Sequence, residues 1–221
     1  MAENAPVHTV VVATGGAPFD PAAVAHLPHN VTVVAADGGL DHALAAGLRP
    51  DVLVGDLDSI TPAGLDWATA NITIERHRAD KVATDTELAL HHAAALRPRR
   101  VVLIAGRGDR VDHAIAAIGA LGGDSLSGVP VVEGWWGADE LLIARPESPV
   151  LVTAAAGTTF SLLALHGPCR GVTLTGARWP LDHADLPPMA GLGVSNEVAG
   201  PPCSLAVADG VVTVIIPGAQ P

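Results

Sequence analysis

Along the first two thirds of the chain, short apolar runs end in clusters of charged or small polar residues. Val31 to Ala36 and Val52 to Val54 read as buried strands, with a helical segment, Leu40 to Ala46, between them. Ile72 to Ile74 and Arg100 to Ala105 read as two more strands, and Thr84 to Arg97 as a helix. Strands alternating with helices build a parallel sheet, so all four carboxyl ends fall on one rim, where open sheets bind ligands. The pattern changes near Arg145-Pro146-Glu147-Ser148-Pro149. Beyond it, Val150 to Thr153, Thr158 to Leu165, Gly171 to Thr175, Ser204 to Ala208 and Val211 to Ile216 are apolar runs separated by Gly and Pro, with little helical period. That is an antiparallel sheet region.

The rim is acidic. Asp37-Gly38-Gly39 follows the first of these strands, and Gly55-Asp56-Leu57-Asp58-Ser59 follows the second. In extended backbone, residues two apart point the same way, so Asp56 and Asp58 aim their carboxylates at one spot. Two such charges repel unless a cation sits between them, and an oxygen-only set beside a hydroxyl suits Mg²⁺. Taken alone, the same five residues also fit a solvated turn in which Asp56 or Asp58 caps the helix near Pro62. The third strand leads into Arg76, Arg78, Asp80, Lys81, Thr84 and Asp85, the fourth into Gly106 through His113. Lys81 is the only lysine beside 11 arginines. It offers a compact point charge for a phosphate oxygen, or a structural partner for Asp80. Arg110 can grip phosphate bidentately, or pair with Asp109 or Asp112.

Composition narrows the partners. A net charge of -11 over 221 residues argues against nucleic acid or an anionic membrane. No apolar run reaches the roughly 18 residues of a membrane span, and the first residues lack the basic stretch of a signal peptide. The expected location is cytoplasmic. Cys169 and Cys203 lack metal-ligand spacing and read as buried free thiols. The histidines form no convincing site. His91 and His92 face different directions on one helix, and His113 reads as support at a helix start.

Taken in order, Ala36-Asp37-Gly38-Gly39, Pro50-Asp51, Gly55 to Ser59, Asp80-Lys81 with Thr84-Asp85, Gly106 to His113 and Ser195-Asn196-Glu197 resemble the thiamine pyrophosphokinase family over nearly the whole chain. The resemblance implies an α/β catalytic domain with a mostly parallel, Rossmann-like sheet over residues 1–145 and a β-sandwich thiamine-binding domain over 146–221. It also implies a homodimer with a composite active site, and Mg²⁺-dependent transfer of the β,γ-pyrophosphoryl unit of ATP to thiamine, releasing AMP. On these terms Asp56, Asp58 and Asp85 hold the metal, and with Asp112 form the catalytic set. Asp37, Gly38, Gly39, Lys81, Thr84 and Arg110 contact ATP. Trp179, Ser195 and Asn196 meet thiamine, whose flat pyrimidine and cationic thiazolium suit an indole face. Trp179 fits a packing aromatic as well, and Ser195-Asn196 a plain turn. Trp135 and Trp136 read as packing residues.

The chain departs from the family pattern in three places. Val82 stands where an Asp is usual, Asp109 replaces a Gly, and Ala116 and Ala117 stand where an Asn is common. Two rival functions stay open on the residues alone. One is another Mg²⁺-dependent phosphotransferase or phosphohydrolase, and the other a catalytically weakened thiamine or nucleotide sensor.

Overall fold

The run His8-Thr-Val-Val-Val-Ala-Thr, at the start of the residues described by the computed structural model (8–78, 82–108 and 110–219), supplies the central strand. This is β1 (Thr9–Thr14), buried along its whole length. It lies between two parallel neighbours, β2 (Val31–Ala36) and β5 (Arg100–Ala105). From β2 the sheet continues through β3 (Val52–Gly55) to β4 (Thr73–Arg76), and from β5 to β6 (Val131–Trp136), all parallel. Strand order reverses between β1 and β5, and that switch point is where such sheets open a crevice at their carboxyl ends.

Alternate residues of each strand serve opposite faces. Val10, Val12, Val34, Val54, Val101 and Leu103 pack under α4 (Asp85–Ala95) and α5 (Val111–Leu121). Val11, Ala13, Val33, Val102 and Ile104 pack under α1 (Pro21–Ala25) and α2 (Gly39–Ala45). A smaller cluster of Ala35, Leu40, Leu53 and Ala68 seats α3 (Pro62–Asn71). None of these helices is long and apolar enough to cross a membrane.

After β6 the chain turns back antiparallel as β7 (Asp139–Ala144). The sheet does not stop there. β7 pairs with β14 (Val212–Ile216), which pairs with β9 (Thr159–Leu163), which pairs with β12 (Asn196–Glu197), giving ten strands in one sheet. A second antiparallel sheet, ordered β11 (Leu181–Leu186), β10 (Cys169–Thr175), β13 (Cys203–Ala206), β8 (Val150–Val152), closes over the far end. Phe160, Leu162, Val214 and Ile216 from one sheet meet Val152, Val172, Leu174 and Leu205 from the other. The carboxyl-terminal region is therefore a β-sandwich, as expected, and it borrows β7 for one layer. Cys169 and Cys203 are free and buried in it.

Two polar groups fasten the junction. Arg145, directly after β7 and 8% exposed, donates from Nη2 to the carbonyl of Gly123 at 3.0 Å, just past the end of α5. A cation at a helix carboxyl terminus meets the negative end of the dipole and its spare carbonyls. His166 packs so tightly on Gly122 that a Cβ there would lie 2.0 Å from its Nε2.

Candidate active site

Three glycine turns converge at the switch point. A Cβ on Gly39 would stand 2.2 Å from the Ala13 carbonyl, and one on Gly106 would stand 2.3 Å from the Pro18 carbonyl, so both positions require glycine for backbone to pass backbone. The result is a cavity of about 320 Å³, floored by Gly15, Gly16, Gly38, Gly106 and Gly108. Its walls include Asp37, Ser59, Asp85, Arg110 and Trp136.

Asp37 is the buried acid of the rim, 7% exposed. Its backbone is left-handed, with φ 46°, which carries the side chain over the end of β3. Ser59 Oγ donates to its Oδ2, and Gly38 N–H donates to Ser59 Oγ at 3.2 Å. Its Oδ1 is buried and has no hydrogen-bond partner among the described residues. Burial raises the Asp37 pKa, and the neighbouring charges of Asp85, Asp58 and Asp56 raise it further against the opposing Ser59 hydrogen bond. Carboxylate oxygens of Asp37, Asp56 and Asp58 lie within 4.8 Å of one another. A buried, unpartnered oxygen in an all-carboxylate group fits a hard divalent cation.

The convergence of Asp56 and Asp58 arises differently from the extended alternation expected. Leu57 has φ 72°, so the strand has ended, and Asp58 N–H turns back toward Asp56 Oδ1 at 3.4 Å. Neither acid caps α3. Thr61 does, accepting from Gly64 N–H at 3.1 Å. Thr61 also donates to Asp41 of α2 through its N–H at 2.8 Å and its Oγ1 at 2.7 Å, which pins the acidic loop beside Asp37. Asp51, another residue of the family resemblance, accepts from Val33 N–H at 2.8 Å and so ties β2 to the start of β3.

The remaining candidates divide. Asp85, the first residue of α4, brings Oδ1 to 3.0 Å from where a Cβ on Gly55 would stand, placing its carboxylate beside Asp37. Thr84 caps α4 in a reciprocal pair with Glu87, so its hydroxyl serves the helix end. Asp112 lies on Arg110, which donates to it from Nε at 2.9 Å and Nη2 at 2.6 Å. Those hydrogen bonds hold the Asp112 carboxyl well below the usual range. Of the alternatives for Arg110, the pairing with Asp112 is the one observed, and the residue also lines the cavity. His113 lines the cavity too. Lys81, Asp80 and Asp109 lie outside the described residues.

Trp179, Ser195 and Asn196 do not line the cavity. Trp179 is 53% exposed on the sandwich, with the Arg178 guanidinium 4.8 Å from its ring centre. Asn196 is buried, and its amide holds the Trp179 backbone, accepting from N–H at 3.2 Å and donating to the carbonyl at 2.8 Å. Its visible work is to set the position of Trp179. Ser195 is exposed, with φ 59°, and its N–H donates to Ser161 Oγ at 3.1 Å.

Two features escaped the sequence. The contact of Ser59 with Asp37, 22 residues away, is one, since the sequence marked that hydroxyl only as a neighbour of the acid pair. His77 Nε2 and His92 Nδ1 flank Glu75 at 2.8 and 2.6 Å, tying β4 to α4. Burial pushes Glu75 up, but these two hydrogen bonds outweigh it and leave its pKa lowered. Residues 17 apart in sequence give no local sign of such a contact.

A doubly wound sheet with acids and glycines at its switch point, continued into a β-sandwich, defines an α/β class whose ligands bind in the crevice at the strand carboxyl ends. The family profile for the thiamin pyrophosphokinase catalytic domain matches residues 25–126, and that for its vitamin B1 binding domain matches residues 147–212. The chain belongs to the thiamin pyrophosphokinase family, and its activity is that of a thiamine diphosphokinase using ATP and thiamine. Solved structures agree in fold. Thiamine pyrophosphokinase from Bacillus subtilis superposes with a TM-score of 0.79 at 21% identity, covering 94% of this chain and 98% of that one. The Geobacillus thermodenitrificans protein gives 0.74 at 24% identity, with 94% and 96% coverage. The Candida albicans protein gives 0.75 at 16%, with 95% and 90%. No curated protein sequence matches the chain significantly.

Proposed function

We propose that pyrophosphoryl transfer runs on the rim just described, with Asp37, Asp56 and Asp58 holding Mg²⁺ and Asp85 bordering that set. The observation that carries this reading is the convergence of the three carboxylates within 4.8 Å at the edge of a glycine-floored cavity. When bound, the cation neutralises charge on the phosphate oxygens of ATP. The glycine turns let those phosphates lie against the backbone, and Arg110, steadied by Asp112, faces them from the start of α5. The thiamine hydroxyl attacks the β-phosphorus, its proton passes to a rim carboxylate, and AMP leaves on the opposite side. Catalysis is chiefly positioning and charge neutralisation. Lys81, the residue the family resemblance assigns to ATP, contributes a further point charge.

Thiamine is bound by the sandwich through Trp179, held in place by Asn196, with Ser195 as the further candidate next to Asn196 in sequence. Because these residues do not line the cavity of their own chain, we further propose that two copies pair and that one copy's Trp179 serves its partner's rim.

The test is an incubation with ATP, Mg²⁺ and thiamine with all products resolved. AMP with thiamine diphosphate is the expected outcome. ADP or free phosphate would identify a different phosphotransferase or a phosphohydrolase, and tight binding without turnover would identify a sensor. Asp56→Asn and Asp58→Asn should each lower turnover at least about 100-fold, in line with losing a group that positions transition-state charge, while circular dichroism stays unchanged. Wild-type turnover in both would remove the metal assignment.

A further inference from the structure

Trp136 and Trp135 end β6, and the pleat sends them to opposite faces. Trp135 is buried on the α1 side, stacked on His26 with ring centres 4.5 Å apart. Trp136 lies on the α5 side, only half buried, and lines the cavity together with Ala116 and Ala117. Helix α5 packs on β6 at Gly134, where a Cβ would stand 2.9 Å from Leu121 Cδ1. Two residues farther along β6, the Trp136 side chain packs partly on the core and lines the cavity. Among the described residues that line the cavity, α5 contributes the Ala116 and Ala117 methyl groups next to its polar first turn, where Arg110 and His113 stand.

The register places this wall relative to the acids. Trp136 pairs with Ala105 in β5, and Thr14 in β1 pairs with Ala36, the residue before Asp37. From β6 across β5 and β1 to β2 is three strand spacings, about 14 Å. An extended nucleotide spans such a distance from its base to its outer phosphates. The cavity is apolar at one end and acidic at the other, with glycine turns between.

We infer that Trp136, with Ala116 and Ala117, is the platform on which the nucleobase of ATP lies, read by its flat face rather than by its edge. This rests on the pyrophosphoryl-transfer reading and adds to it the direction of the nucleotide, with the base over β6 and the phosphates running across β5 and β1 toward Asp37. It also assigns a role to a residue that the sequence marked only for packing. An aromatic face stacks on any base, so a platform of this kind discriminates weakly among purines.

The test uses calorimetric binding of AMP, GMP and Mg²⁺-tripolyphosphate to the full chain. Trp136→Ala should weaken AMP about 5- to 150-fold, the range expected for one lost stacking partner. It should leave tripolyphosphate within twofold of wild type, and Trp136→Phe should restore most of the AMP affinity. In the wild type, GMP should bind within tenfold of AMP. Unchanged AMP binding in Trp136→Ala, or an equal loss for tripolyphosphate, would overturn the platform. A preference above 100-fold between AMP and GMP would overturn the flat-face reading. Binding is measured without thiamine or turnover, so a protein that released no AMP from ATP would contradict the reaction while the Trp136 result still stood.

Discussion

Burial and three neighbouring acids raise the pKa of Asp37, so in metal-free protein its ionised form is held against a penalty. The sign follows from linkage. A carboxyl whose folded pKa exceeds its unfolded value favours the fold at low pH, and that contribution is lost as pH rises through the folded pKa. Asp37→Asn keeps an acceptor for Ser59 and removes the charge. It should therefore melt higher than wild type at pH 7.5 without divalent cation, by a few degrees for about 1 kcal/mol in a chain of this size. Mg²⁺ should raise the melting temperature of wild type but not of the variant. Calorimetry with and without Mg²⁺ checks both, and identical metal-free melting would show that the buried charge carries no penalty. The convergence of Asp56 and Asp58 was legible in the sequence, although the left-handed Leu57 brings it about and extended alternation does not. The buried place of Asp37 beside them was not, because it depends on left-handed backbone at Asp37 and Leu57, a conformation that only a small share of non-glycine residues adopt.

Helix α2 begins against β1 with no room to spare, and this contact sets the height of the acidic rim. At Gly39 an added Cβ would meet Ala13 carbonyl oxygen at 2.2 Å and Thr14 carbon at 2.9 Å, backbone atoms that cannot swing aside. Gly39→Ala should destabilise the fold by about 3 kcal/mol. Gly119→Ala in α5, where nothing lies within 4 Å, should stabilise it by about 0.5–1 kcal/mol. Urea midpoints of the two variants should move in opposite directions; a shared direction would show that the tight crossing is not what constrains Gly39. Most strands were visible as apolar runs, including β2, β3 and β5 with bounds close to those observed. β11 was not, since Leu-Asp-His-Ala-Asp-Leu is largely exposed and polar, and β12 has two residues. β1 and the β6–β7 hairpin had apolar sequence, but their place in the sheet depends on partners far along the chain.

A composite site predicts complementation between inactive subunits. Trp179→Ala should weaken thiamine far more than ATP, and Asp85→Ala should cripple turnover. A hybrid of the two has one site with both residues intact, so mixing them under subunit exchange should recover activity, up to about a quarter of wild type when mixing is random and pairing follows twofold symmetry. No recovery, with hybrids shown by mass spectrometry, would place thiamine within one chain. The sandwich region was legible from its Gly- and Pro-broken runs, whereas the pairing of β7 with β14 was not, because it joins segments about 70 residues apart. That pairing has a consequence for how the molecule is inherited and handled. The two family profiles divide the chain into modules, yet one hydrogen-bonded ladder passes through both without a seam. A fragment ending at β7 would carry a raw, five-residue-paired border with Leu141 and Ile143 along it, the kind of edge that recruits foreign strands. Shuffling such a module between proteins would mean transplanting its border strand as well, so the natural unit of exchange is the entire chain.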